Sequence, residues 1–259
     1  MAKKLQDLFM KLRATKVYAG IRNIYIAIRT LPFRLRGGTR YRPKFYQAAL
    51  IRALEGFRRK SDISDHLNTI FFFALDAKPK LIVELGTRGG ESTRALLSAA
   101  YICNAILLSV DIKDCGHLDM PYREHWEFLK ADDVEFGKQP FVDWCRQRGI
   151  EAKIDVLFID TSHIYEHTKK EIEVWSKYLS GDGVMMFHDT NTGKGAYSHM
   201  DGSCGLGPDN KRGVIRTIEE FVGQKYDENS FFSDLRNHFL IAHYPYCDGL
   251  TILKKYSRE

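Results

Sequence analysis

The chain has 259 residues, which is enough for one large α/β domain with an appendage or for two small domains. Its net charge of +6 joins two unlike regions: residues 1–60 hold 16 of the 39 Lys/Arg but 2 of the 33 Asp/Glu, so the remainder is acidic. The five cysteines are scattered, odd in number and form no C-x-x-C pair, which argues against a disulfide framework and for a reducing cytoplasm.

No uncharged run is long enough to span a bilayer. Asp7, Lys11, Arg13 and Lys16 interrupt any apolar region near the start, so no signal peptide is expected. Within residues 1–60, Val17, Ile21, Ile24, Ile28 and Leu31 recur at steps of three and four, the spacing of one helix face. Two readings of this basic helical segment stand. It packs its stripe on the main domain or on a second copy of the chain, making a homo-oligomer, or it attaches to an anionic membrane surface. A basic amphipathic helix by itself favours packing. Nucleic acid is not expected as a partner, because the segment carries no nucleic-acid motif and the rest of the chain is acidic.

From residue 61 to 259 the pattern is regular. "SDISDHLNTIFFFALDA" reads as a helix with Ser61 or Ser64 as N-cap. "KLIVEL" is a strand and "ESTRALLSAAY" a helix. "AILLSVDI" and "HWEFLKADD" are strands, "EFGKQPFVDWCRQRG" a helix and "IDVLFID" a strand. "IYEHTKKEIEVWSKYLS" is a helix whose inward stripe is Thr168, Ile172, Trp175 and Leu179, and "GVMMFHD" is the next strand. A Gly-rich loop over 190–213 reads either as a lid, offering Asn191, Tyr197 and His199 to a ligand, or as a disordered insertion. After a helix at "VIRTIEEFVG", two strands flank "YCDG" as a hairpin. Strands alternating with amphipathic helices predict a doubly wound, Rossmann-like α/β sheet, mostly parallel, with the C-terminal hairpin supplying an antiparallel edge.

Ligands of such sheets bind outside the carboxyl ends of the strands. Glu84, Asp111, Asp132, Asp160 and Asp189 all fall where an apolar run ends. "VELGTRGGEST" is a strand running into a glycine-rich turn, Gly86-Thr87 to Gly90, and a helix that opens near Ser92. The spacing is not the G-x-G-x-x-G of a dinucleotide site, and Glu84 would repel a pyrophosphate, so a ligand carrying positive charge is favoured.

These residues carry a resemblance. Residues 80–256 resemble a class I S-adenosylmethionine-dependent methyltransferase, and more narrowly the metal-assisted O-methyltransferases. That group includes the catechol O-methyltransferase-like, macrolide sugar O-methyltransferase and cephalosporin-hydroxylase-like families. The match lies in E-x-G-x-x-x-G-x-S from Glu84 to Ser92, in Asp111, in Asp160 with His163, and in His188–Asp189. The resemblance implies S-adenosylmethionine as cofactor. Glu84 and the turn through Gly86, Thr87, Gly90 and Ser92 would hold its methionine end, Asp111 its ribose hydroxyls, and Asp132 or Asp133 its adenine.

It also implies Asp160 and Asp189 as ligands of a divalent cation, Mg2+ foremost, and His163 as the general base toward a hydroxyl of a small molecule or glycan. Two neighbouring carboxylates repel unless a cation lies between them. A histidine suits a base because its ordinary pKa is about 6.5. The other reading of His163 is a helix cap. His188 departs from the family, several of whose members carry a carboxylate there. It either ligates, shifting preference from Mg2+ toward Mn2+, Fe2+ or Zn2+, or faces the opposite side of its strand as a supporting residue.

Overall fold

The computed structural model describes residues 46–54, 61–192, 196–198, 204–206 and 212–256, with single positions between residues 20 and 31. The chain divides into two compact units, residues 1–45 and 46–259. In the first, residues 23–25, 27 and 28 are helical, and Ile24, Tyr25, Ile28 and Leu31 are exposed. Val17 and Ile21 of the apolar stripe lie outside the described residues.

The second unit is built on an eight-stranded sheet. Its strands are β1 (Leu81–Leu85), β2 (Ile106–Asp111), β3 (Trp126–Lys130), β4 (Ile154–Ile159), β5 (Leu179–His188), β8 (Phe232–Arg236), β9 (Phe239–Tyr244) and β10 (Leu250–Lys255). The order across the sheet is β3-β2-β1-β4-β5-β10-β9-β8. The first five strands are parallel, and β10, β9 and β8 are antiparallel. Between β5 and β8, Ala196–Ser198 (β6) pairs with Cys204–Leu206 (β7) inside the loop expected over 190–213; His199 lies outside the described residues.

Side chains alternate across each strand, so the two faces carry separate cores. On one face Val83, Leu157 and Phe187 pack with Phe141, Trp175 and Ile218. On the other Ile82, Phe158 and Met186 pack with Leu50, Phe71 and Leu96. The helices of the first face are α5 (Gln139–Gln147), α6 (Tyr165–Trp175) and α7 (Gly213–Val222). Those of the second are α1 (Gln47–Leu54), α2 (Leu67–Asp76) and α3 (Glu91–Cys103). All five residues of β1 are buried, as expected of a parallel strand covered on both sides.

Several elements differ from the sequence reading. The hairpin strand β10 is not an edge: it inserts beside β5, and β8, unrecognised in the sequence, takes the edge. β8 reads "FSDLR", too polar to signal a strand, because its side chains are exposed or half-buried. "EFGKQPFVDWCRQRG" is two helices, α4 (Asp133–Phe136) and α5, with the break at Gly137–Lys138. Pro140 starts the second, since proline lacks an N–H and is tolerated only in a first turn. Neither Ser61 nor Ser64 caps α2; Ser64 Oγ instead accepts from Ser61 N (2.8 Å) ahead of a 3-10 turn. Leu179 belongs to β5 and not to α6, though it is buried as the stripe required.

Candidate active site

The strand ends place the acids as follows. Asp111 is the last residue of β2, Asp160 and Asp189 directly follow β4 and β5, and Asp132 lies two residues beyond β3. Asp111 holds the glycine turn: its Oδ2 accepts from Thr87 N (2.8 Å) and Arg88 N (3.1 Å), and its Oδ1 from Lys113 N (2.8 Å). A cavity of about 330 Å3 opens beside it, lined among others by Gly86, Arg88, Ile112, Asp132, Asp133, Asp160, His163 and His167. Thus Gly86, Asp111, Asp132, Asp133, Asp160 and His163 meet at one cavity, from four stretches of chain.

Gly86 is fixed there by space and by φ. It has φ +87°, and a Cβ at this position would stand 1.9 Å from the carbonyl oxygen of Asp160. No other residue would allow the turn after β1 to lie against the end of β4.

Glu84 stands apart from the lining. It is fully buried and its oxygens accept from Ser109 Oγ (2.5 Å), Ser92 Oγ (2.7 Å) and Thr93 Oγ1 (2.9 Å). Burial raises its pKa to about 7, against the opposing pull of these hydroxyls. Glu84 and Ser92 thereby tie β1, β2 and the start of α3 together beneath the turn. Gly90, at φ +81°, lies against Met120. The Thr87 hydroxyl is buried without a hydrogen-bond partner, a polar atom beside the turn that a ligand would satisfy. Asp132 caps α4, its Oδ1 accepting from Glu135 N (2.8 Å).

At the ends of β4 and β5 the charged groups converge. The His163 Nε2 lies 3.0 Å from Asp160 Oδ1 and 2.8 Å from Asp189 Oδ2. These three side chains offer donor atoms within 4.8 Å of one another, a metal-binding arrangement. His188 faces the same place. Its Nδ1 is 3.5 Å from both Asp160 Oδ1 and Asp189 Oδ2, yet makes no hydrogen bond. Its Nε2 is 3.1 Å from the Cys247 carbonyl, to which it donates. Against burial, Asp160 and Asp189 push its pKa well above the ordinary value, so Nδ1 holds a proton and offers a lone pair only once their charge is neutralised. His188 therefore does not turn to the opposite side of its strand.

Burial alone would discharge these groups, but mutual attraction prevails. His163 is pulled down by burial and then pushed to about 10 by its hydrogen bonds with Asp160 and Asp189. Asp160, opposed by burial, is held far below the usual carboxylate range by His188 and His163. His163 and Asp189 have φ +58° and +56°, a left-handed conformation that is costly without glycine and collects at functional sites. His163 does not cap α6, whose N-cap is Ile164.

The sequence reading did not find Arg88, which has φ +47° and binds Asp62 through both terminal nitrogens (3.0 and 2.6 Å). Glu171 was also missed; its only signal was the four-residue spacing from His167 on α6. Tyr165 is turned outward, its hydroxyl donating to Glu220 Oε2 (2.6 Å).

The fold is a Rossmann-like α/β sheet with acidic side chains gathered at the ends of its parallel strands. Residues 83–190 match the family model described as a methyltransferase domain, a span from within β1 to the residue after Asp189 that includes every candidate site residue. No curated protein sequence matches the chain. Among solved structures, the chain is similar to the S-adenosylhomocysteine-bound methyltransferase PaMTH1 of Podospora anserina (15% identity, 81% of this chain and 88% of that one, TM-score 0.48). It is also similar to the O-methyltransferase of Bacillus cereus in complex with S-adenosylhomocysteine (13%, 84% and 93%, 0.48). A third is the MycE methyltransferase of the mycinamycin biosynthetic pathway, in complex with Mg, S-adenosylhomocysteine and mycinamycin VI (15%, 96% and 63%, 0.46).

Proposed function

We propose that this protein transfers the methyl group of S-adenosylmethionine to a hydroxyl oxygen of a sugar, glycoconjugate or secondary metabolite, assisted by a divalent cation. The observation that carries this reading is the unpartnered His188 Nδ1, buried and aimed between the carboxylates of Asp160 and Asp189. Two carboxylates and one imidazole lone pair suit Mg2+ or, given the nitrogen donor, Mn2+, Fe2+ or Zn2+. When bound, the cation lowers the pKa of the acceptor hydroxyl and fixes its place.

The chain's own residues supply the rest. Asp111 uses Oδ2 to hold the turn and keeps spare acceptor capacity for ribose hydroxyls. Asp132 or Asp133, both on the cavity wall, would accept from the adenine amino group. The acids around the cavity favour a cationic sulfonium over a pyrophosphate. His163 takes the acceptor proton at Nε2. It can do so once the charge of Asp160 and Asp189 is neutralised, because that charge now keeps the ring protonated.

Calorimetry with S-adenosylmethionine tests the cofactor: binding is expected in the wild type and markedly weaker in Asp111→Ala. Turnover on catechols and sugars with vicinal hydroxyls, with and without EDTA, tests the cation. Absence of cofactor binding sinks the whole reading. Turnover untouched by EDTA favours a second one, supported by the contacts of His163 with both carboxylates: its imidazolium then stands in place of the ion.

The exposed Ile24, Tyr25, Ile28 and Leu31 of the basic N-terminal unit support self-association or attachment to an anionic surface. Sedimentation with and without anionic vesicles separates these two. Among the described residues no helix is long and apolar enough to cross a membrane.

A further inference from the structure

A second group of donor atoms lies at the wall of the same cavity. Asp133 opens α4, and His167 and Glu171 stand one turn apart on α6. The His167 Nε2 is 3.2 Å from Asp133 Oδ2 and 3.7 Å from Glu171 Oε1. All three donors lie within 4.8 Å of one another. Glu171 is fully buried; its Oε1 accepts from Thr161 Oγ1 (2.7 Å), while its Oε2 has no hydrogen-bond partner.

We propose that Asp133, His167 and Glu171 form a second divalent-cation site, distinct from the one at Asp160 and Asp189. The spacing suits it. An ion with ligand bonds of about 2.0–2.2 Å in tetrahedral geometry holds its ligand atoms roughly 3.3–3.6 Å apart. The observed 3.2 and 3.7 Å bracket that edge, and the second is too long for a hydrogen bond. The charge requires something as well. Two carboxylates in one largely buried pocket share either a proton or a cation; His167 hydrogen-bonds Asp133, and Glu171 Oε2 has no hydrogen-bond donor, so a cation among the three would satisfy it.

The donor set, one imidazole and two carboxylates, belongs to Zn2+, Mn2+ or Co2+ rather than to Ca2+. Asp133 and His167 line the cavity, so the ion has access to solvent and to whatever the cavity holds. It would clamp the first turns of α6 to α4. Through Thr161 it would also steady the segment that carries Asp160 and His163.

The site does not depend on the methyl-transfer reading, and its test counts metal rather than turnover. Full-length protein is stripped with EDTA and titrated with Co2+, followed by visible absorption and by metal analysis after gel filtration. The double variant Asp160→Asn/Asp189→Asn is expected to keep one equivalent and to melt at a higher temperature with Co2+ than without. Adding His167→Gln is expected to abolish both. His167 is partly exposed, so this change spares the core, and an unchanged metal-free melting temperature verifies the fold. The proposal is overturned if the double variant binds no Co2+, which leaves a shared proton between Asp133 and Glu171. It is equally overturned if His167→Gln leaves the stoichiometry unchanged.

Discussion

The backbone of Gly86 lies directly against Asp160: the turn after β1 and the end of β4 touch where a Cβ would meet the Asp160 carbonyl at 1.9 Å. The glycine turn and the segment that carries Asp160 thus share one contact, and a change on either is felt on the other. Gly86→Ala adds a left-handed conformation, costing about 1–2 kcal/mol, to an overpacking cost of about 1–3 kcal/mol. The expected outcome is roughly 3 kcal/mol of lost stability and loss of S-adenosylhomocysteine binding, read by urea unfolding and calorimetry. Unchanged stability would show that the two strand ends can part freely.

Under the proposed function, a change at His188 should separate cation binding from cofactor binding. His188→Gln removes the Nδ1 lone pair between Asp160 and Asp189 without approaching Asp111 or the turn. The metal concentration for half-maximal turnover should rise at least tenfold, on the order of the losses seen when metal-site residues are changed, while cofactor affinity stays the same. A parallel fall in both would place His188 in general packing, beside His66, whose ring centroid is 5.8 Å from its own.

Asp111 fixes the turn through a carboxylate that accepts from Thr87 N and Arg88 N. Hydrogen bonds to a charged group contribute about 1.5–3 kcal/mol each. Asp111→Ala should therefore weaken cofactor binding by roughly 10- to 100-fold or more, and Asp111→Asn, which keeps one carbonyl acceptor, by less. Equal losses in the two variants, measured by calorimetry, would mean that charge matters here and the acceptor does not.

Glu84 makes stability depend on pH. Burial raises its folded pKa to about 7, above the ordinary glutamate value, so the folded state holds the proton more tightly than the unfolded chain. Its contribution is then fully present below about pH 4.5 and is lost as pH rises through about 7, over a span of a few kcal/mol. Glu84→Gln mimics the neutral acid at every pH. The difference in unfolding free energy between wild type and variant should shift against the wild type from pH 4.5 to 7.5. A difference that is flat over this range would show that the hydroxyls of Ser92, Thr93 and Ser109 keep the carboxylate charged throughout.

Some of this was readable along the chain. Apolar runs between amphipathic helices are enough to specify β1, β2, β4 and β5, because a strand covered on both faces must be largely apolar. The same logic placed Asp111, Asp160 and Asp189 at the strand ends, where polarity resumes. Gly86 was marked by its position after β1. β8 and the break before α5 were obscured, the first by exposed polar side chains and the second by a proline that starts a helix as readily as it ends one.

What the sequence could not settle is the direction and company of single side chains. Alternation along β5 let His188 face either way. Its place was decided by the register of β5 on β4, which pairs Ile159 with Phe187 and so brings the next residues, Asp160 and His188, alongside each other. The Cys247 carbonyl, 59 residues further on, then fixed the ring. Glu171 lies in a stretch of charged residues and still has no exposed surface, because α6 turns that face against α4 and Thr161. Composition and periodicity determine which residues end strands; only packing between distant elements determines which of them share a proton or a cation.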